Sequence, residues 1–213
     1  MAGNELINLF LEFEGMLFNV KKPYKFSSGL MVPVYPKARQ LISLPEQRKK
    51  AYEMLKEKID SLSLEYGAVA SIAKGTMFFA AILAWEKNMP LIAVAMHETP
   101  GKNSHALTGI LNKGTKVLVI EDMVTNGAST TGGIEELRKN GAVVTDVVSL
   151  FSFEMPTAIT GLEKAGVRLH PLSTYSELIE IATRKNIIQP NERKLFLEWT
   201  KDPVNWGEKM GYE

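Results

Sequence analysis

The chain contains 213 residues, with a formal net charge of +1 and no cysteine. A near-neutral chain gives no electrostatic reason to expect nucleic acid or a membrane surface as a partner, and the lack of cysteine excludes disulfides and thiolate chemistry. No apolar run approaches the ~20 residues that span a bilayer, and the N-terminus lacks the basic start of a signal peptide. These features predict a cytoplasmic protein that is long enough to bury one full core, as a single domain over residues 1–213.

The first third of the chain combines predicted helices with an irregular segment. Apolar residues at helical spacing predict an amphipathic helix at the start, with a buried face formed by Leu6, Ile7, Phe10, Phe13 and Leu17. Residues 21–39 are irregular and rich in Pro, Ser and Tyr, with one short strand near 32–35. Pro45 can begin a helix that runs to about residue 61, and its predicted buried stripe is Ala51, Met54, Leu55 and Ile59.

The remaining two thirds alternate between strand and helix patterns. Strands are predicted at 68–72, 91–95, 116–120, 143–151 and 167–169. Helices are predicted at 77–87, 130–140 and 157–165, followed by a capping box at 173–177 that begins a helix to residue 185, and by a last helix over 190–200. Because such alternation produces right-handed β-α-β crossovers, the expected fold is α/β, with a parallel central sheet flanked by helices. Ligands then bind at the carboxyl ends of the strands.

Residues 117–130 form the most informative local pattern. An apolar strand ends in Glu121 and Asp122, and a loop of small polar residues then leads into a helix. The free N–H groups and the dipole of a helix N-terminus favour an anion, and the hydroxyls of Thr125, Ser129 and Thr130 add donors. The two acids suit ribose hydroxyls, or a hard divalent cation that bridges to phosphate. The alternative is an ordinary buried strand and turn that happen to carry two acids.

A second strand-to-helix turn has the same geometry. Ala73, Lys74, Gly75 and Thr76 follow one predicted strand and precede a helix, and Gly75 permits the close approach of an anion. Taken alone, the turn could equally be a common β-α connection with an exposed lysine.

Residues 97–105 form a polar connection that contains Pro-Gly and is long for an α/β protein. We expect a mobile loop, in which Lys102 or His105 could close over a substrate and supply positive charge. The alternative is a solvated loop with incidental charge.

The segment 117–130 resembles the phosphoribosyl-diphosphate signature of the type I phosphoribosyltransferases. The N-terminal segment narrows the resemblance to the orotate phosphoribosyltransferases, through Ser28, Gly29, Pro33, Tyr35 and Arg39. Residues 41–45 and 172–178 are also similar to that family, so the resemblance covers nearly the whole chain in order. It implies a type I phosphoribosyltransferase-like fold with a small N-terminal hood over about residues 1–40.

The resemblance also implies the ligands and the residues that bind them. Ribose and its 5′-phosphate are expected at Glu121, Asp122, Met123, Val124, Thr125, Asn126, Gly127, Ala128, Ser129 and Thr130, and the diphosphate at Ala73, Lys74, Gly75 and Thr76. Ser27, Tyr35, Pro36 and Phe153 are also expected to bind the substrate, and catalysis is assigned to Lys102, His105 and Asp122. Mg²⁺ is expected on the diphosphate and ribose hydroxyls, with no protein residue assigned as a metal ligand. A homodimer is also implied.

Several positions depart from the family pattern. Family cations before and within the loop correspond to Ala95, Met96, Thr99 and Gly101, and a family Asp-Arg pair corresponds to Ser152 and Phe153. Two N-terminal positions also differ, with Ser27 in place of a Lys and Lys37 in place of an Asp. Because that Arg contacts the orotate carboxylate in the family, Phe153 should favour an uncharged or flat apolar ligand, unless a compensating cation is present. The candidates for that cation are Lys22, Lys25 and Lys37.

The sequence therefore predicts an enzyme that joins orotate to 5-phospho-α-D-ribose 1-diphosphate, giving orotidine 5′-phosphate and diphosphate in pyrimidine nucleotide synthesis. Two alternatives stay open at this point: a phosphoribosyltransferase for another base, and a non-catalytic nucleotide-binding regulator of the same fold.

Overall fold

The computed structural model describes residues 2–26, 29–72, 75–99 and 102–212, with the backbone alone for 2–3, 96–99 and 102–105. Its first part contains helix α1 (Ala2–Glu12), four short strands and helix α2 (Pro45–Ser61). The strands are β1 (Met16–Phe18), β2 (Tyr24–Lys25), β3 (Met31–Val32) and β4 (Val34–Pro36), and a 3-10 helix follows at Ala38–Ser43. Strands β1 and β4 pair antiparallel, as do β2 and β3.

The second part alternates strands and helices. The strands are β5 (Ala68–Ile72), β6 (Leu91–Thr99), β7 (Lys102–Thr108), β8 (Val117–Val124), β9 (Asp146–Ser152) and β10 (Arg168–Thr174). The helices are α3 (Met77–Glu86), α4 (Ala128–Lys139), α5 (Pro156–Lys164), α6 (Tyr175–Arg184), α7 (Arg193–Trp199) and α8 (Pro203–Lys209). None of the helices in the described ranges combines the length and apolarity that a membrane span requires.

These six longer strands form one sheet in the order β10-β9-β8-β5-β6-β7. All neighbours are parallel except β6 and β7, which form an antiparallel hairpin at one edge. The chain first extends the sheet from β5 toward β7 and then returns to add β8, β9 and β10 on the other side of β5. The order therefore reverses between β5 and β8, and in open α/β sheets this reversal opens a crevice at the carboxyl ends of the strands.

Alternate residues of each buried strand face two separate cores. On β8, Leu118 and Ile120 pack with α1, α2, α3 and α6, whereas Val117 and Val119 pack with α4 and α5. Because successive side chains of a strand point to opposite faces, a continuous apolar run such as 117–120 is what a sheet covered on both faces requires. The predicted fold class, a parallel central sheet flanked by helices, is confirmed.

Three predicted elements differ from the structure. Helix α1 ends at Glu12, so Leu17 lies in β1 and not on the helix. The loop expected at 97–104 is wrong, because Leu91–Thr99 and Lys102–Thr108 pair along their length, from Ala93 opposite Thr108 to Thr99 opposite Lys102. The last predicted helix, over 190–200, is shorter in the structure and covers Arg193–Trp199, and the helix that follows it, Pro203–Lys209, was not predicted.

The predicted buried stripe of α2 is nearly right. Ala51, Leu55 and Ile59 are buried as expected, whereas Tyr52 is buried in place of the half-buried Met54.

Candidate active site

Two strand-to-helix turns lie side by side where the strand order reverses. One joins β5 to α3 and the other joins β8 to α4, and β5 and β8 are hydrogen-bonded neighbours in the sheet. The N-cap residues of these helices are Thr76 and Gly127. Neither has a side chain that accepts a hydrogen bond from the backbone N–H groups of the first turn. Helix α6 begins at the same edge but closes its N-terminus with a complete capping box, formed by Thr174 and Glu177. Apart from the N–H of Ala128, which donates to Asn126, the first-turn N–H groups of α3 and α4 are therefore available to bind an anion.

The β8-α4 turn is shaped by Gly127. Its φ of +79° lies in the left-handed region, and a Cβ there would stand 2.8 Å from the Cα of Ala158 on α5. Asn126 is exposed and accepts a hydrogen bond from the N–H of Ala128 at 3.1 Å. Val124 is buried, Met123, Thr125 and Ser129 are half-buried, and Ala128 is exposed. The turn therefore presents backbone N–H groups and the Ser129 hydroxyl at the sheet edge.

The two acids at the end of β8 are placed differently. The carboxyl of Glu121 is buried and accepts a hydrogen bond from the Thr130 hydroxyl at 3.0 Å. Asp122 is half-buried and accepts the Met123 N–H at 2.8 Å. Burial raises the pKa of both carboxyls, and for Glu121 the charge of Asp122 raises it further. Asp122 is thus the acid that a ligand can reach directly, whereas Glu121 also secures the first turn of α4.

The β5-α3 turn approaches Asp122 closely. A Cβ on Gly75 would overlap Oδ2 of Asp122, so only glycine allows this contact. Thr76 is buried, and its hydroxyl lies 2.9 Å from that of Ser71. The other two predicted diphosphate-binding residues, Ala73 and Lys74, lie outside the described residues.

An aromatic cluster joins the N-terminal segment to the end of β9. Tyr35 is 39% exposed, and its ring contacts Phe26 at a centroid distance of 5.7 Å. Phe26 covers Phe153 at 6.0 Å, and Phe153 is fully buried against Trp199 at 5.7 Å. A base can therefore reach Tyr35 directly but must displace Phe26 to touch Phe153. Two further residues were predicted to bind the substrate: Pro36 is half-buried, and Ser27 lies outside the described residues.

Lys102 and His105 lie on β7, opposite Thr99 and Met96 of β6. The structure thus places both at the outer part of the β6-β7 hairpin and not in an irregular loop.

The donor set suits a magnesium ion that is shared with a substrate. Among the residues the structure describes, no group of three or more His, Cys, Asp or Glu side chains could hold a metal ion alone. Mg²⁺ is commonly bound through one or two carboxylates together with substrate phosphates. Asp122 and Glu121 provide hard oxygen donors beside the two anion-binding turns, so they fit such a shared ion.

Arg39 was not assigned a site role from the sequence, although it matched the family pattern. It lies on the 3-10 helix Ala38–Ser43, and its Nε is 3.5 Å from where a Cβ of Gly75 would be. Its charge also acts on Asp122, lowering the pKa of that carboxyl against the stronger effect of burial. No local signal reveals this placement, because Arg39 reaches the site only when the N-terminal segment folds over the sheet.

Solved structures define the class to which this architecture belongs. Leishmania donovani UMP synthase superimposes with a TM-score of 0.77 at 23% identity, over 94% of this chain and 42% of that one. Adenine phosphoribosyltransferase from Thermoanaerobacter pseudethanolicus gives a TM-score of 0.57 at 13% identity, over 67% of this chain and 88% of that one. At these identities the likeness concerns the fold, which is that of the phosphoribosyltransferases.

Sequence relatives narrow the class. The chain is 33% identical over 203 residues to orotate phosphoribosyltransferase of Coxiella burnetii, covering 95% of this chain and 97% of that protein. It is 31% identical to the Bacillus cereus protein of the same name, over 94% and 96% of the two chains. Orotate phosphoribosyltransferase from Aeropyrum pernix superimposes with a TM-score of 0.73 at 27% identity, over 84% and 98%. No protein-family model matches the chain. The chain belongs to the orotate phosphoribosyltransferase family.

Proposed function

We propose that this protein transfers the phosphoribosyl group of 5-phospho-α-D-ribose 1-diphosphate to orotate, releasing diphosphate and giving orotidine 5′-phosphate. The observation that carries the proposal is the pair of neighbouring strand-to-helix turns after β5 and β8, with Asp122 between them. A substrate with a phosphate at one end of its ribose and a diphosphate at the other needs two anion sites with a diol-binding acid between them. The names of the relatives support orotate as the base.

Each end of the substrate is assigned to one turn. The 5′-phosphate binds at the N-terminus of α4, where Ser129 and the backbone of residues 125–130 donate, and the diphosphate binds at the turn that contains Gly75 and Thr76. Asp122 binds the ribose diol, and Glu121 joins it by exchanging its hydrogen bond with Thr130 for one with the sugar. Tyr35 and Pro36 border the base.

Positioning and charge stabilisation supply the catalysis. Positive charge develops at the anomeric carbon while negative charge builds on the departing diphosphate, so no protein nucleophile is required. Mg²⁺ held with Asp122 and Glu121 would act as a Lewis acid on the diphosphate when bound. Lys102 or His105, carried by the β6-β7 hairpin, provides a cation on closure and helps to exclude water.

We also propose that the protein is a homodimer in the cytoplasm. Helix α3 is apolar on its outward side as well as its buried side: Phe78 and Ile82 are half-buried, and Trp85 is 87% exposed. A helix that is apolar all round needs cover on both faces, and a second copy of the chain would supply it. Sedimentation equilibrium should give twice the chain mass of 23.7 kDa; the monomer mass would contradict the dimer.

The activity is tested by diphosphate release with Mg²⁺ and orotate, uracil, adenine, guanine or hypoxanthine. We expect release with orotate. The substitution Asp122→Asn should reduce turnover by about 100-fold, the typical loss when one pre-organised charged contact is removed. Glu135→Gln, an exposed acid on α4, is the matched control and should keep wild-type turnover. Unchanged turnover in the double variant Glu121→Gln, Asp122→Asn would remove the assigned ribose role.

A second candidate is transfer to an uncharged base. It is favoured by Phe153, which stands where the family carries an arginine and which lies within an aromatic cluster. Diphosphate release with uracil or a purine, and none with orotate, would select this candidate. If the protein binds a nucleotide but releases no diphosphate with any of these bases, it is instead a regulator.

A further inference from the structure

The side chain of Arg39, which comes from the 3-10 helix of the N-terminal segment, lies beside Gly75 of the β5-α3 turn. The 3-10 helix that carries it is anchored by Ala38 and Leu41, which are both buried, while Arg39 itself is exposed. Its Nε stands 3.5 Å from the Cβ position of Gly75. The backbone of Arg39 is therefore fixed, and its charged end overlooks the turn that we assign to the diphosphate.

Among the residues that the structure describes, Arg39 has no hydrogen-bond acceptor and no ion-pair partner in direct contact. Other arginines of this chain do satisfy their donors: Arg138 bonds to the carbonyls of Val144 and Ala165, and Arg168 bonds to Asp146 through two nitrogens. A guanidinium is a planar fork of five donors that matches phosphate oxygens bidentately. At Arg39 this fork makes no hydrogen bond to a described residue, although its charge acts on the nearby Asp122.

We propose that Arg39 binds the diphosphate of the phosphoribosyl donor, with its guanidinium placed beside the Gly75 turn. This inference rests on the proposed function, because it names a further ligand for the same substrate. It gives the diphosphate a cation from the N-terminal segment, which lies outside the loop where the family carries its cations. The loop positions that correspond to those cations are here Ala95, Met96, Thr99 and Gly101.

The test measures binding directly, by titration calorimetry with inorganic diphosphate and Mg²⁺ as the probe. Arg39→Gln should weaken diphosphate binding by ~10- to 100-fold, the range expected for a charge-assisted hydrogen-bonded contact. Arg39→Lys keeps the charge without the fork and should give an intermediate loss. Arg184→Gln, which removes an exposed arginine from α6, is the matched control and should bind as the wild type does. The Michaelis constant for phosphoribosyl diphosphate should follow the same ranking.

Ribose 5-phosphate is the second probe, because it occupies the α4 turn alone. Its affinity should be the same in Arg39→Gln and wild type, since Arg39 faces the β5-α3 turn. Equal losses for both probes would mean a general electrostatic effect and would overturn the assignment. So would unchanged diphosphate binding in Arg39→Gln, or a wild-type protein that binds no diphosphate.

The experiments distinguish a failure of the proposed transferase activity from a failure of the proposed Arg39 site. If diphosphate binding depends on Arg39 but no base is consumed, the transferase activity is wrong and the Arg39 site stands. If orotate is converted at the wild-type rate and affinity by Arg39→Gln, the Arg39 site is wrong and the activity stands. Should Arg39→Gln lower the melting temperature, Arg39→Lys decides, because its weaker diphosphate binding at an unchanged melting temperature supports the contact.

Discussion

Gly127 combines a left-handed backbone with close packing. At φ +79°, a side chain is disfavoured on its own account, and any Cβ would in addition meet Ala158 at 2.8 Å from its Cα and 3.0 Å from its Cβ. Gly166 has a similar φ of +66° but nothing within 4 Å of its Cβ position. The two glycines therefore separate the cost of backbone strain from the cost of overpacking.

Gly166→Ala should lower the free energy of unfolding by about 1 kcal/mol, since a non-glycine residue in this region costs roughly 1–2 kcal/mol. Gly127→Ala should lose a further ~1–3 kcal/mol, because α5 must shift to admit the methyl group. Urea unfolding of both variants measures the difference. If both variants lose the same free energy of unfolding, α5 can shift at no cost, and Gly127 is required only for its backbone conformation.

Part of the candidate site could be predicted from short stretches of the sequence. The turn that follows Glu121 and Asp122 could be predicted because its residues are contiguous, and because small residues before a helix have few other uses. Arg39 could not be assigned in the same way, since its neighbours Gly75 and Asp122 come from distant parts of the sequence. Phe153 was predicted to bind the substrate, but its contact with Phe26 joins distant parts of the chain and has no local pattern that predicts it.

At the level of elements, β9 and β10 are tied together at their beginnings by Asp146. Its carboxylate, 9% exposed, bonds to Arg168 at 2.9 and 3.0 Å, to His170 at 2.7 Å and to Thr145 at 2.8 Å. Burial alone would raise the pKa of Asp146, but these hydrogen bonds together hold the pKa below its usual value. The folded state therefore favours the charged form more than the unfolded state does.

The lowered pKa of Asp146 determines how the stability of the protein depends on pH. A lowered pKa in the folded state stabilises the protein above the unfolded value of about 3.9, and the contribution is lost as the pH falls through the lower folded value. We expect Asp146→Asn to cost about 1–3 kcal/mol at pH 7, the range for hydrogen bonds to a charged group. The difference in the free energy of unfolding between Asp146→Asn and the wild type, measured by urea unfolding, should become smaller below pH 4.

Asp60→Asn is the control for this prediction, because Asp60 pairs with Lys87 at 2.9 Å on the exposed surface. Exposed pairs contribute little, so this variant should follow the wild type at every pH. If Asp146→Asn differs from the wild type by the same free energy of unfolding at low pH as at pH 7, the electrostatic explanation is contradicted.

Elements with strong periodicity were predicted well, and the remainder depended on distant pairing. Helix α2 begins at Pro45 and ends at Ser61 as expected, since its start and its spacing are both local signals. The hairpin of β6 and β7 was predicted as a loop because residues 97–105 are polar and contain Pro-Gly. Only the antiparallel pairing makes them strands, and strand propensity depends heavily on such context.

At the scale of the whole molecule, the C-terminal helices brace the N-terminal segment. The indole N–H of Trp199 donates to the carbonyl of Met31 at 2.9 Å, and the Tyr212 hydroxyl donates to the carbonyl of Val20 at 2.7 Å. Trp199 also packs against Phe153. The aromatic cluster beside the proposed base site is thus supported from the far end of the chain.

Trp199→Phe should destabilise the protein more than Trp206→Phe does. Both tryptophans are buried, but the indole nitrogen of Trp206 has no hydrogen-bond partner among the described residues. Losing one donor to a buried carbonyl costs ~1–3 kcal/mol, so the two variants should differ by about that amount in urea unfolding. Trp199→Phe should also raise the Michaelis constant for the base, because Phe26 and Tyr35 lose support. Equal stabilities would show that the Met31 bond contributes nothing.

The antiparallel register of β6 and β7 has a consequence for closure. Positions on a strand alternate between its two faces, and Lys102 and His105 are separated by an odd number of steps along β7. The two positions therefore belong to opposite sides of the same ribbon. If the hairpin moved toward the proposed site as one unit, only one of the two positions would lie on the face that approaches the ligand. A closing movement would then use Lys102 or His105, and not both.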